Sequence, residues 1–196
     1  PEDLVIDARG CRYRIDRGLF ARDLEVECPL AGEHQITNSL TAALALDHLS
    51  IPVSGIKEAR WPGRLERMRE SPEVILDGAH NPAGARALAQ YIERFYKGRK
   101  LWLVYGTMRD KAIDEIADVL FPLATELILT APDFERALDP RSLVPHYPKA
   151  RVAQTLRDAV ALVKAQAAPV DVVFITGSLF LVGEARKLLT ENPGIL

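Results

Sequence analysis

The 196-residue sequence predicts an α/β fold, a mostly parallel sheet flanked by helices, preceded by a smaller piece of antiparallel strands and one helix. Three observations predict it. Beyond residue 73, short apolar runs alternate with segments whose apolar residues recur at helical spacing, the signature of repeated βα units. Before residue 31 the hydrophobic period is two instead. Between these regions Pro52, Gly55, Pro62 and Gly63 concentrate around a possible short helix, which is linker composition.

The first part alternates apolar and polar residues, as in Cys11-Arg12-Tyr13-Arg14-Ile15 and Leu24-Glu25-Val26-Glu27-Cys28, on either side of a turn-like Asp16-Arg17-Gly18. Antiparallel strands with one buried face are expected. A few strands with nothing over their apolar face are marginal alone, so this piece reads as the tail of a larger domain. Gly32-Glu33-His34-Gln35-Ile36-Thr37-Asn38 then leads into Leu40, Ala42, Ala43, Leu44, Ala45, Leu46 and Leu49. That helix is apolar on nearly all sides and is expected to be buried or wedged between layers. The boundary is placed near Trp61, giving parts 1–60 and 61–196.

In the second part Val74-Ile75-Leu76 suits a buried strand, ended by the carboxylate of Asp77. Asn81 is placed to cap a helix whose first position is Pro82, where a missing N–H costs nothing. Ala85, Leu88, Ala89, Ile92 and Phe95 carry that helix to about residue 97. A strand follows at 101–105, then a helix with Ile113, Ile116, Ala117 and Leu120, a strand at 127–130 and a short helical piece near Arg141. The chain closes with a short strand at Arg151-Val152-Ala153, a helix carrying Leu156, Ala159, Val160 and Val163, a strand at 172–176 and a helix carrying Leu181, Ala185, Leu188 and Leu189.

A hydrophobic content of 48% is enough for a buried core. The net charge of −2 comes from balanced acids and bases without long runs of one sign, which excludes a nucleic-acid footprint and a basic membrane patch and leaves small polar ligands. Cys11 and Cys28 are too few for a disulfide framework, lack metal-ligand spacing and read as free thiols of a reducing compartment. The longest apolar stretch, 172–182, is interrupted by Thr176-Gly177-Ser178, and no signal-peptide pattern opens the chain, so a cytoplasmic location is expected. The chain opens at Pro1 without an initiator Met, and a longer parent protein is expected.

The strand ends share one feature: Asp77 and His80, Gly106 and Thr107, Thr130, and Gly177-Ser178 each follow an apolar run. In a parallel sheet all of them fall on one edge, where open α/β sheets bind ligands and where helix N-termini favour anions. Helix capping by Asn81 and Ser178 uses the same residue types, so both readings stand at this point. Arg64, after the stiff Pro62-Gly63 turn, suits phosphate recognition, with a salt bridge to Glu66 or a neighbour as the alternative. Gly106-Thr107-Met108-Arg109-Asp110-Lys111 offers a small residue, then cation, anion and cation at a helix start, and its spacing favours a solvated turn with a surface Lys. No GxGxxG occurs, nor GxxxxGK followed by Ser or Thr, so any nucleotide must be held in part by something else.

Taken in order, Gly32-Glu33-His34-Gln35-x-x-Asn38, Pro62-Gly63-Arg64-Leu65-Glu66, Asp77-Gly78-Ala79-His80-Asn81-Pro82 and Gly106-Thr107-Met108-Arg109-Asp110-Lys111 resemble folylpolyglutamate synthase/dihydrofolate synthase of the Mur ligase superfamily. Pro132 with Arg136-Ala137 and the closing Thr176-Gly177-Ser178 extend the resemblance over the whole chain. It implies that 1–60 is the end of an ATP-binding central domain and 61–196 a Rossmann-like C-terminal domain. It also implies an ATP-dependent ligase that phosphorylates a folate or dihydropteroate carboxylate and lets L-glutamate attack the acyl phosphate.

Under the same resemblance Asn38 contacts adenine, Arg64 the phosphates or ribose of ATP, and Asp77 the ribose hydroxyls. His80 and Ser178 hold the incoming glutamate, and Arg64 and His80 are the catalytic candidates. The family's phosphate loop and magnesium (Mg2+) ligands precede the present sequence, so the chain alone is expected to be inactive. Ala112 departs from the family, which often has an acidic residue there. The resemblance further implies a monomer when full length, with no nucleic-acid or membrane partner. A peptidoglycan-precursor Mur ligase is an alternative that the Asp-Gly-Ala-His-Asn-Pro form disfavours, and a non-catalytic Rossmann-like binding module is another.

Overall fold

The computed structural model describes residues 1–16, 23–109, 112–145 and 147–196. It divides into two compact units, Pro1–Pro62 and Gly63–Leu196, with Trp61 and Pro62 on the first.

The first unit holds a three-stranded antiparallel sheet of β1 (Glu2–Ile6), β2 (Cys11–Ile15) and β3 (Leu24–Cys28) in that order. The period of two is realised directly. Cys11, Tyr13 and Ile15 on β2 and Leu24, Val26 and Cys28 on β3 are buried, while the residues between them are exposed. Residues 17 and 18 of the expected turn lie outside the described residues. Helix α1 (His34–His48) packs on this face with Gln35, Ser39 and Ala43 buried and Ile36, Leu40 and Leu46 half-buried against the same cluster. The helix is therefore not buried all round as its composition suggests. One small sheet covers one face, and Leu44 remains 43% exposed. A 3-10 turn, Val53–Glu58, follows and packs Ile56 into the same cluster.

The second unit is a six-stranded sheet with strand order β4-β5-β9-β6-β7-β8. Strands β5 (Glu73–Asp77), β6 (Leu101–Tyr105), β7 (Glu126–Leu129), β8 (Arg151–Val152) and β9 (Val172–Thr176) are parallel. β5, β6 and β9 are buried at every position, as both-face coverage by helices requires of a parallel sheet. Val74, Leu76, Trp102, Val104, Val173 and Ile175 face helices α4 (Leu156–Gln166) and α5 (Leu179–Glu191). On the opposite face Phe174 meets Tyr91 and Tyr96 edge-on, and Tyr105 meets Phe121, beneath α2 (Pro82–Phe95) and α3 (Ile113–Leu120). Among the described residues no helix is long and apolar enough to cross a membrane.

Sequence periodicity misses β4 (Glu66–Glu70), an antiparallel edge strand on β5. Four of its five residues are charged, which masks the strand pattern. The charges have work at the edge: Glu66 pairs with Arg186, Arg69 donates to the Leu189 carbonyl, and Arg67 pairs with Glu73. Glu73 is buried and also accepts from the Tyr96 hydroxyl at 2.6 Å and from Arg99 at 2.5 Å. Arg99 in turn donates to the Val170 and Asp171 carbonyls, so this one carboxylate ties β4, β5 and the chain after α2 to the entry of β9.

Glu73→Ala would remove the carboxylate that two arginines and a phenol share. Partial exposure of the arginines puts the expected loss at the low end for a broken buried pair, about 3 kcal/mol. Glu73→Gln keeps one acceptor and should lose less. Denaturant unfolding followed through Trp102, buried in this unit, measures both, and equal losses in the two variants would contradict the account.

Candidate functional site

In the parallel register Asp77 lies level with Thr176, Thr176 with Tyr105, and Tyr105 with Leu129. The segments holding His80, Gly106-Thr107, Thr130 and Gly177-Ser178 therefore all leave the sheet at one edge. Backbones crowd there. A Cβ on Gly177, whose φ is +106°, would stand 2.7 Å from the Gly106 carbonyl oxygen, and one on Gly106 would stand 2.7 Å from that of Thr130. Glycine is thus required where neighbouring strand ends meet. Thr107, Thr130 and Thr176 are buried along the edge, and their hydroxyls make no hydrogen bond among the described residues. The edge carries more polar capacity than the fold consumes.

Asp77 is 8% exposed and is the centre of the site. Its Oδ2 accepts from the N–H of Leu65 at 3.0 Å and its Oδ1 from that of Ala79 at 2.9 Å. The carboxylate thus joins the turn before β4 to its own turn after β5. A second stitch runs from the N–H of Gly78 to the carbonyl of Gly63 at 2.8 Å. Gly63 has φ +71° and Leu65 has φ +48°, a left-handed conformation that costs a branched residue about 1–2 kcal/mol. The bond to Asp77 helps hold Leu65 there. Burial pushes the Asp77 carboxyl up from its ordinary value, against the opposing pull of the two N–H groups and of nearby Arg64 and His80.

Arg64 sits between Gly63 and Leu65 on this pinned turn. Its Nη1 would be 3.1 Å from a Cβ on Gly78, so the guanidinium lies over the Asp77-Gly78 turn. Salt-bridging to Glu66, the alternative, does not occur: Glu66 is taken by Arg186 at 2.9 Å and by the Gly63 N–H at 2.8 Å. Among the described residues Arg64 itself has neither an ion pair nor a hydrogen bond, a half-buried cation beside a buried acid.

His80 Nδ1 lies 2.7 Å from the Gly78 carbonyl. A carbonyl only accepts, so Nδ1 carries the proton and Nε2 of the neutral ring is left as an acceptor. Asn81 caps α2 by accepting from the Gly84 N–H at 2.8 Å, with Pro82 at the first position. Ser178 caps α5, accepting from the Phe180 N–H at 3.1 Å. Both capping assignments therefore hold, and the buried Ser178 hydroxyl still has its proton to donate.

Two further motifs find places. Arg109 donates its N–H to the Arg136 carbonyl at 3.2 Å, and the Leu138 N–H donates to the Thr107 carbonyl at 2.9 Å. The Pro132 to Ala137 segment is thereby knitted to the segment after β6. Asp110 and Lys111 lie outside the described residues. In the first unit Asn38 is exposed on α1, its Nδ2 held by Gln35 Oε1 at 3.0 Å, which leaves the carboxamide oxygen to a ligand. Sequence reasoning missed Leu65, Glu66 and Gln35 as supports. The Pro62-Gly63 pair signals a turn near Leu65, whereas nothing local marks Leu65 as left-handed. Among the described residues no group of three or more His, Cys, Asp or Glu could hold a metal ion.

The family profile described as "Mur ligase, glutamate ligase domain" matches residues 63–179. The "Dihydrofolate synthase/folylpolyglutamate synthase" of Mycobacterium tuberculosis is 34% identical over 90% of this chain and 42% of its own length. Among solved structures, Mycobacterium tuberculosis folylpolyglutamate synthase complexed with ADP superposes with a TM-score of 0.81 at 32% identity, covering 94% of this chain and 46% of that one. Folylpolyglutamate synthase of Thermotoga maritima gives 0.76 at 30% identity, covering 93% and 44%. The chain spans less than half the length of each of these relatives.

Because burial raises Asp77, the folded chain binds that proton more tightly than the unfolded chain. Its contribution to stability should therefore be fully present below the ordinary carboxylate value of about 4 and fall as pH rises through the higher folded value. Asp77→Asn should remove this slope and, by losing an acceptor, cost about 1–3 kcal/mol where Asp77 is protonated. Denaturation midpoints of the two proteins across the acid range give the difference. A wild-type curve that rises relative to the variant through this range would reverse the sign.

Proposed function

We propose, from the premise that this chain belongs to the Mur ligase family through its glutamate ligase domain, that it serves an ATP-dependent ligase adding L-glutamate to a folate or dihydropteroate carboxylate. In this reading residues 1–60 end a central domain and 61–196 form the C-terminal domain. The observation that carries the proposal is the Asp77 latch, which sets an unpaired guanidinium and an imidazole with a free Nε2 on one turn-to-turn junction.

ATP, when bound, supplies the phosphoryl group that activates the acceptor carboxylate. The chain's own residues do the rest by placement and charge. Arg64 offsets negative charge as it develops on the transferred phosphoryl oxygens, and the rigid turn means it need not reorganise. Asp77 has remaining lone pairs for ribose hydroxyls, although its burial makes the latch its larger task. Asn38 offers its carboxamide to an adenine edge. His80 Nε2 accepts from the amino group of glutamate, and the Ser178 hydroxyl with the α5 N-terminus receives a glutamate carboxylate. The amino group then displaces phosphate from the acyl phosphate, giving amide, ADP and phosphate.

Mg2+ belongs to the family reaction, but the described residues form no ligand set of three or more His, Cys, Asp or Glu for it. The sequence also lacks a phosphate loop. The isolated chain should accordingly neither hydrolyse ATP nor form the amide. The parent enzyme is proposed to be a cytoplasmic monomer without nucleic-acid or membrane partners.

In the full-length enzyme His80→Ala should raise KM for glutamate about ten- to a hundredfold with little change for ATP, matching a lost bond of roughly 1.5–3 kcal/mol. Arg64→Ala should lower kcat more than it raises either KM. Steady-state kinetics with ATP and glutamate varied separately decide both. A His80→Ala defect confined to ATP would overturn the assignment, as would glutamate ligation by the isolated chain.

A further inference from the structure

Cys11 and Cys28 are free thiols, both buried, and they are Cα partners in the antiparallel pairing of β2 with β3. Directly opposed residues in such a ladder have Cα atoms about 4.5–5.5 Å apart, within the roughly 4.4–6.8 Å that disulfides span. They also share a sheet face, and the alternation of burial puts both on the inner one. Backbones are close at this spot: a Cβ on Gly10 would stand 2.2 Å from the Cys28 carbonyl oxygen. The pair is electrostatically asymmetric: the neighbouring Cys11 thiol, with the Leu30 N–H and the Ser39 hydroxyl, pulls Cys28 down to about 6, while Cys28 and burial push Cys11 up.

We propose that Cys11 and Cys28 are a thiol–disulfide modification site, closed by hydrogen peroxide without rearrangement of the strands. The Cys28 thiolate attacks one peroxide oxygen and the O–O bond breaks, giving a sulfenic acid and a hydroxide that takes a proton to become water. The Cys11 sulfur, giving up its proton, then attacks the Cys28 sulfur and expels a second hydroxide, which leaves as water. Two thiols lose two electrons and one peroxide is reduced to two waters. The order follows from the pair's asymmetry, in which Cys28 is the thiolate and Cys11 the resolving thiol. Ser39 reports the change to α1: its hydroxyl lies 2.8 Å from the Tyr13 hydroxyl and beside both sulfurs, one residue from Asn38.

The test is peroxide treatment of the folded, reduced chain, followed by catalase, denaturing maleimide labelling and non-reducing mass analysis. The expected result is loss of two hydrogens and of both labels, a linked 11–28 peptide, and full reversal by dithiothreitol. In Cys11→Ser the Cys28 sulfenic acid should be trapped by dimedone, whereas in Cys28→Ser the Cys11 thiol should survive the same exposure. Oxidation of Met68 with both thiols still labelled would overturn the proposal, as would linkage only between chains. The wild-type measurement stands by itself if a variant fails to fold.

Discussion

Everything at the functional edge of the second unit depends on where the Asp77 carboxylate is held. A buried acid is tolerated only when its oxygens are satisfied, and here they are satisfied by backbone N–H groups of two different turns. One bond therefore fixes Leu65 in a conformation it would otherwise avoid, and with it the neighbouring Arg64. The other tightens the turn that presents His80. A cation and an imidazole that are distant in sequence are brought to one junction by the desolvation of a third group.

The sheet explains why that junction can face a ligand. Parallel strands in lateral register end together, and glycines at 106 and 177 let their connecting segments pack without side chains between them. Buried threonine hydroxyls and the capped start of α5 supply the polar surroundings. At the opposite edge of the same strands the Glu73 cluster performs the complementary task, anchoring the antiparallel edge strand and the entry to β9. The candidate site and the Glu73 cluster thus lie at the two ends of the same strands.

The first unit is organised by different physics. Its small sheet has one inner face, and α1 covers it with Ile36, Leu40, Ala43 and Leu46, among which Gln35 and Ser39 are also buried. One polar contact lies inside this interface, between the hydroxyls of Tyr13 on β2 and Ser39 on α1. The thiol pair on β2 and β3 lies at that interface.

The sequence by itself determined the class of the fold, because buried parallel strands must read as apolar runs and helices at their ends must be capped. Val74 to Leu76, Asn81-Pro82 and Ser178 were legible for that reason. It also marked Asp77 and His80, after a buried strand, and Arg64, after the Pro62-Gly63 turn, as candidates, since polar or charged groups at such places have few purposes. It did not reveal β4, whose charged residues hide the strand pattern and find their reason only in Glu73, Arg186 and the α5 carbonyls. Nor did it show that Asp77 reaches Leu65, twelve residues earlier, that Glu66 pairs with Arg186 and not with Arg64, or that the two cysteines stand opposite one another. Those facts belong to tertiary structure because each is a contact between separate elements. Local periodicity constrains which face a residue turns toward the core, and only packing decides which residue meets it there.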